Sequence, residues 1–124
     1  INIRGHRIGS EEIESVVLKL RKVQECAAIS ISDKLEGNII ILCVVSNDKN
    51  ISSDIEKKIF SNFGSYAIPK KIYFIPELPK TRSGKILRRL LRDIIINSKK
   101  NKHSDKTTIL NYKVIDTIKK IIHK

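Results

Sequence analysis

Residues 78–89 read LPKTRSGKILRR, and they join a predicted turn to a predicted basic helix. Pro79 has no N–H donor and a fixed φ, so a central strand is not expected to continue through it. Three residues typical of turns and caps follow it: Thr81, Ser83 and Gly84. The next apolar residues recur at the spacing of one helix face: Ile86, Leu87, Leu90, Leu91, Ile94 and Ile95. We therefore predict that Lys85 lies where a loop enters a helix that ends near residue 96.

The surroundings of Lys85 in the sequence are strongly cationic. Its basic neighbours are Lys80, Arg82, Arg88 and Arg89. This pattern predicts a lysine that is presented toward an anion in a positive field. The alternative is an ordinary solvated lysine at the start of a helix.

The positive charge of the whole chain is uneven. The formal net charge is +12. Between residues 70 and 106, twelve Lys and Arg residues stand against three acids, Glu77, Asp93 and Asp105. Such a surface favours nucleotide phosphates, nucleic acid or an acidic protein surface as partners. Because Lys, Ile and Asn are frequent throughout, a solvated lysine-rich surface is the alternative.

The length of 124 residues allows at most one ordinary domain, and an apolar share of 40% supports a modest core. The longest apolar run, residues 39–45, has the length of a strand and not of a membrane span, and no secretory signal is visible. The chain starts with Ile inside an apparent strand, so we expect it to be a piece of a longer protein.

The two cysteines, Cys26 and Cys43, lie in apolar runs and are too few for a disulfide scaffold. The histidines are too scattered to suggest a zinc site: His6, His103 and His123. We therefore expect no metal site, and buried free thiols in a reducing compartment, the cytoplasm or also the nucleus.

The first half of the chain predicts two helices around a pair of strands. Residues 1–4 alternate as a short strand does, residues 5–9 form a loop, and Ser10 caps a helix. Residues 23–32 and 39–45 are expected to form an antiparallel pair. Ser52 or Ser53 then caps a second helix, which Gly64 ends.

The second half predicts a third main strand at residues 70–75 and the basic helix after Lys85. Residues 97–106 are polar and expected to be mobile, and residues 107–124 end in an amphipathic tail helix. The fold class is therefore α+β, a small antiparallel or mixed sheet of about three main strands covered by helices. We expect residues 1–97 to form the domain and residues 98–124 a linker and tail.

Two segments of the chain resemble one known family. LPKTRSGKILRRLLR, residues 78–92, resembles the closing motif of AMP-forming acyl-CoA synthetases of the adenylate-forming superfamily, and most of all the acetyl-CoA synthetase branch. INIRGHRIGSEEIES, residues 1–15, resembles a second segment of that branch. The two matches occur in the family's order and close to its spacing. The resemblance implies the small, mobile C-terminal α+β domain of such an enzyme, with a large N-terminal domain elsewhere in the protein.

The resemblance also implies a reaction in two steps. A carboxylate first attacks the α-phosphate of ATP, and the CoA thiol then attacks the acyl carbon of the adenylate. Lys85 matches the catalytic lysine of the first step, and Gly84 lets its loop enter a closed site. The segment Gly5-His6-Arg7 matches the loop that faces the CoA site in the second step. Gly5 would approach pantetheine, Arg7 would lie near phosphate or fix the domain pose, and His6 would shape the loop.

Further implications concern cofactors, regulation and one departure from the family. ATP, with Mg²⁺ held mainly by the other domain, and CoA would be the nucleotide ligands, and acetate the acyl donor. A lysine acetyltransferase would acetylate Lys85 and so switch off adenylation, and a deacetylase would restore the free lysine. Where related enzymes can place an arginine on the CoA 3′-phosphate, this chain has Phe60, with Lys57 and Lys58 nearby. Those lysines would then replace the arginine.

Three alternatives to an acetyl-CoA synthetase remain at this point. A synthetase for propionate or another short acid is a close variant, because acyl choice belongs to the large domain. A basic nucleic-acid-binding module fits the charge. However, aromatic residues make up only 5% of the chain and no helix-turn-helix, RNA-recognition or zinc-finger pattern is present. A stand-alone interaction domain that lost its catalytic half is the third alternative.

Overall fold

The computed structural model describes residues 2–3, 5–35, 37–97 and 109–123. The side chains of Asn2, Ile3 and His6 lie outside that description. In chain order the elements are β1 (Asn2–Ile3), β2 (His6–Arg7), α1 (Ser10–Val17), β3 (Val23–Asp33), β4 (Gly37–Ser46), α2 (Ser52–Phe63), a 3-10 turn at Ser65–Ala67, β5 (Lys71–Phe74), α3 (Arg88–Ile95) and α4 (Val114–Ile122).

The centre of the domain is a three-stranded mixed sheet in the order β3-β4-β5. The antiparallel pairing of β3 with β4 that the sequence predicts is confirmed, with Ala27 opposite Cys43. The third strand, β5, lies parallel to β4, and Leu42 pairs with Ile72. A parallel neighbour requires a crossover, and α2 supplies it. The predicted α+β class with about three main strands is confirmed.

Strand β4 is continuously apolar over residues 39–45, as expected for a strand with both faces covered. Ile40, Leu42 and Val44 point into one core, which α1 and α2 complete with residues such as Ile13 and Ile55. The alternate residues of β4 point into a second core on the opposite face: Ile41, Cys43 and Val45. Helices α3 and α4 cover that second face.

The tail helix α4 packs onto the domain through its predicted apolar stripe. Val114, Ile115 and Ile118 are buried in the second core together with Leu91 and Ile94 of α3. The polar stretch predicted at residues 97–106 lies outside the described residues except for Asn97. Within the described ranges, no helix has the length and hydropathy needed to cross a membrane.

The predicted caps of the first two helices are wrong. Ser10 is already the first residue of α1, and Gly9 is the N-cap, whose carbonyl accepts a hydrogen bond from the Glu12 N–H at 3.1 Å. In the same way Ser52 is the first residue of α2, and Ile51 precedes it. Neither cap residue makes a side-chain hydrogen bond to its helix. The carbonyl groups of Gly9 and Ile51 therefore close the first turns.

The two thiols are free and buried, as the sequence predicts. Burial raises the pKa of Cys43 to about 12, and burial together with the nearby Glu14 carboxylate raises that of Cys26 to about 12.

We expect neither thiol of the folded protein to react with a disulfide reagent at a pH below the ordinary thiol pKa of 9.0, and both to react in urea. Rapid titration of either thiol without denaturant would contradict the burial. Because folding raises the pKa of both thiols, their ionisation does not change the free energy of unfolding below pH 9. It lowers the free energy of unfolding as the pH rises from 9 toward 12.

Candidate functional site

Lys85 lies in a tight hairpin. The hairpin is closed by a bridge between Lys80 and Ile86 and by the Thr81 N–H, which donates to the Lys85 carbonyl at 2.9 Å. The Thr81 hydroxyl accepts a hydrogen bond from the Lys85 N–H at 3.1 Å. Gly84 has a φ of +92°, a backbone conformation that glycine adopts without a steric penalty. The Lys85 side chain is exposed at the tip of this hairpin.

The prediction that Lys85 lies directly at a helix start is wrong by three residues. Helix α3 begins at Arg88. Ile86 pairs back to Lys80, and the Leu87 N–H donates to the Pro79 carbonyl at 2.9 Å. These two contacts hold residues 86–87 out of the helix. The apolar periodicity still includes them, because both side chains pack against the second core.

The predicted positive field around Lys85 is partly neutralised. Lys80 forms an ion pair with Glu25 of β3, and Arg88 forms one with Glu14 of α1. The Lys85 ammonium itself pairs with no acidic group in the described part of the chain. Lys85 is therefore a presented cation whose natural counter-ion must come from outside these residues.

The Glu14–Arg88 pair joins the two segments on which the sequence resemblance rests. Glu14 is only 6% exposed, and its Oε2 accepts hydrogen bonds from the Ala28 N–H at 2.8 Å and from Arg88 Nε at 3.0 Å. Oε1 accepts a second bond from the Arg88 guanidinium, which makes the pair bidentate. The hydrogen bonds to Glu14 raise the pKa of Arg88 above its ordinary value. One carboxylate thus connects α1, the edge of β3 and the start of α3.

Sequence reasoning missed Glu14. The available signal was its place in α1, between Ile13 and Val16 on the buried side of the helix. A carboxylate at such a position is normally paired, but the partner is 74 residues away in sequence.

The glycine loop at the start of the chain forms a second hairpin. Residues 5–9 were predicted to be a loop, but His6–Arg7 form β2 and pair with β1. Gly5 turns the chain with a φ of +83°, and apart from its chain neighbours no atom of the described residues lies within 4 Å of the position that a Cβ would occupy. The glycine is therefore required by its backbone conformation, and the turn stays open to an approaching ligand. Arg7 is exposed, whereas the side chain of His6 lies outside the description.

The structure does not combine these predicted site residues into one constellation. Among the described residues, Gly5 and Arg7 share no hydrogen bond or ion pair with residues 80–86. Phe60 lies on α2 and is 56% exposed, next to exposed Lys57. The described residues also contain no cluster of His, Cys, Asp or Glu that could hold a metal ion.

A shallow pocket of about 460 Å³ opens beside Arg88 along the edge of β3. Its walls include Ser10, Ser30, Arg89 and Arg92. Arg89 and Arg92 form no ion pair with the acidic groups that the structure describes. The pocket therefore carries positive charge that these acids do not neutralise, and this charge attracts anions.

This α+β domain matches a known protein family over most of its length. Residues 12–85 match the AMP-binding enzyme C-terminal domain, which is more than half of the chain. The chain belongs to this family. The matched region ends at Lys85, so α3 and the tail lie beyond it.

Among curated proteins, the chain is similar to several acetyl-coenzyme A synthetases. The enzyme of Penicillium chrysogenum is 34% identical over 127 aligned positions, which cover 99% of this chain and 19% of the relative. That of Pasteurella multocida is 39% identical over 78% of this chain and 16% of the relative. The chain thus spans less than a fifth of the length of these relatives.

The domain also superposes on solved structures of related enzymes. A Brucella canis acyl-CoA synthetase superposes with a TM-score of 0.71 at 30% identity, covering 79% of this chain and 19% of that one. A fatty acyl CoA synthetase of Mycobacterium tuberculosis gives 0.68 at 33% identity, covering 75% and 19%. The amide bond synthetase of Marinactinospora thermotolerans, at 20% identity and a TM-score of 0.69, shares the fold.

Proposed function

We propose that this chain is the C-terminal domain of an AMP-forming acetyl-CoA synthetase, an acetate–CoA ligase. The enzyme would convert acetate, ATP and CoA into acetyl-CoA, AMP and diphosphate. The observation that carries the proposal is the match of nearly the whole chain to an acetyl-coenzyme A synthetase at 34% identity. Lys85 supports it further, because it is exposed on its hairpin and pairs with no acidic group that the structure describes.

The first chemical step would use Lys85. An acetate oxygen attacks the α-phosphorus of ATP, a P–O bond forms, and the bond to the departing diphosphate breaks. Negative charge grows on the phosphoryl oxygens in the transition state, and an ammonium group held beside them stabilises it. The single charge and long stem of a lysine suit this task, because it reaches into a site built by another domain.

The second step would use the Gly5-His6-Arg7 hairpin. The sulfur of CoA attacks the acyl carbon, a C–S bond forms, and the C–O bond to AMP breaks. The open turn at Gly5 would let pantetheine approach the backbone. Arg7 would lie near phosphate or fix the pose of the domain, and His6 would shape the hairpin. Among the described residues, no hydrogen bond or ion pair joins Gly5 or Arg7 to residues 80–86, which fits a domain that offers one face in each step.

The remaining parts of the proposal concern partners. The ATP and acyl pockets, and the residues that hold Mg²⁺, would lie in the N-terminal domain, so we expect residues 1–124 alone to be inactive. The exposure of Lys85 would give a lysine acetyltransferase and a deacetylase access to it. On α2, Lys57 and Lys58 would contact the CoA 3′-phosphate beside Phe60.

The test uses the full-length protein that contains this chain. Acetate-dependent exchange of labelled diphosphate into ATP measures the first step, and acetyl-CoA formation measures both steps. We expect both activities, with acetate preferred over propionate and longer acids. A preference for propionate would leave the synthetase class intact and change the substrate. Absence of exchange with every short acid would contradict the proposal.

A second candidate of another class is a nucleic-acid-binding module. The net charge of +12 and the pocket beside Arg89 and Arg92 favour it. Binding of RNA or DNA at physiological salt, with an affinity that falls steeply as salt rises, would support this function. We expect only weak binding, because the described residues offer few exposed aromatic side chains for base stacking.

A further inference from the structure

The side chain of Asn111 forms hydrogen bonds to the strand that enters the Lys85 hairpin. Its Nδ2 donates to the Leu78 carbonyl at 2.9 Å, and its Oδ1 accepts from the Lys80 N–H at 3.1 Å. A carboxamide that serves one carbonyl and one N–H in this way takes the place of a neighbouring strand. These two bonds span 33 and 31 residues of sequence, so they exist only because the tail folds back.

The backbone next to Asn111 extends the same contact. The Leu110 N–H donates to the Lys80 carbonyl at 2.8 Å, and Ile109 bridges to Thr81. Lys80 therefore has its N–H and its carbonyl bonded to the tail, while across the hairpin it faces Ile86. The arm that leads to Lys85 is the middle strand of a small three-stranded arrangement.

The tail is itself firmly placed. Ile109 is 1% exposed, and Val114, Ile115 and Ile118 lie in the second core. The Asn111 carbonyl accepts from the Val114 N–H at 3.0 Å and so leads directly into α4. The carboxamide is thus attached to a packed element, and its two hydrogen bonds restrict the movement of the hairpin.

We propose that Asn111 is a positioning residue for the adenylation step, acting through Lys85. The proposal depends on the function proposed above. A two-stranded hairpin in water is marginally stable by itself, so the third strand decides how sharply the ammonium is placed. The family match ends at residue 85, so Asn111 and the tail that carries it lie beyond the matched domain. Because the second step would use the other hairpin, only the first step should depend on Asn111.

The test is Asn111→Ala in the full-length protein, with the two half-reactions measured separately. We expect the turnover number for acetate-dependent diphosphate exchange to fall by about 10- to 100-fold, the loss that a small misplacement of a reacting group causes. Thioester formation from supplied acetyl-adenylate and CoA should stay at the wild-type rate. The matched control is Asn62→Ala, which removes an exposed carboxamide whose hydrogen bonds within the described residues all lie in its own helix α2. That variant should keep both activities.

A double variant separates positioning from general damage. In a Lys85→Ala background, Asn111→Ala should lower exchange no further, because both changes remove the same contribution. Equal loss in both half-reactions, or a further loss in the Lys85→Ala background, would overturn the proposal, as would unchanged exchange. If wild type exchanges no diphosphate at all, the proposed function fails and not the positioning.

A second variant covers the case in which Asn111→Ala fails to fold. Asn111→Asp keeps the size and the acceptor for the Lys80 N–H, but it removes the donor to the Leu78 carbonyl. We expect it to fold and to lose exchange activity selectively. A folded Asn111→Asp enzyme with wild-type exchange would also overturn the proposal.

Discussion

Lys85→Ala in the full-length protein is expected to lower acetate-dependent diphosphate exchange by a factor of about 10² to 10³, the usual contribution of a preorganised charge at a transition state. Thioester formation from supplied acetyl-adenylate should continue. The physical reason is the placement of Lys85, whose ammonium is exposed, unpaired among the described residues and mounted on a hydrogen-bonded hairpin. Its removal should leave the fold intact, because the side chain contributes nothing to either core.

Three comparisons sharpen this expectation. Lys19→Ala, which removes an exposed lysine after α1, should change neither half-reaction. Lys85→Arg should lose most of the exchange activity, since a planar guanidinium does not replace a compact ammonium. Enzyme acetylated at Lys85 should behave like Lys85→Ala, because the charge is lost. If Lys85→Ala or acetylation left exchange intact, the proposed role would be wrong, and the basic surface would need another function, nucleic-acid binding first.

The second large effect is expected in stability, from Glu14→Ala. The change leaves the Arg88 guanidinium and the Ala28 N–H without their acceptor in a mostly buried place. Breaking a buried ion pair from one side typically costs 3–5 kcal/mol. Because the Arg88 side chain is 32% exposed, water compensates part of the loss, and we expect about 3 kcal/mol less free energy of unfolding. Urea denaturation followed by circular dichroism measures it as a lower midpoint at unchanged slope.

Two variants bracket the effect of Glu14. Glu12→Ala removes an exposed carboxylate from the same helix and should change stability by less than about 0.5 kcal/mol. Glu14→Gln retains one acceptor for the Ala28 N–H, so its urea midpoint should lie between those of Glu14→Ala and Glu12→Ala. Equal midpoints for Glu14→Ala and Glu12→Ala would show that the ion pair does not stabilise the domain.

The strands and most helices could be predicted because their signals are local. The apolar run at residues 39–45 predicts a strand buried on both sides, and β4 is that strand. The tail stripe predicts a helix, and α4 is that helix. The helix starts at Ser10 and Ser52 were predicted one or two residues off, because the carbonyl groups of Gly9 and Ile51 close the first turns in place of a serine side chain. The start at Arg88 was missed because Ile86 bridges to Lys80 and the Leu87 N–H bonds to the Pro79 carbonyl.

Local periodicity predicts the order of the elements and the central strand. Two short motifs, at residues 1–15 and 78–92, predict the family and single out Lys85. The pairing of Glu14 with Arg88 and the hydrogen bonds of Asn111 to the strand before Lys85 become visible only in the folded chain. Such polar contacts depend on which sheet edge and which face each helix occupies. The packing of the two apolar cores fixes those positions, and no local pattern records them.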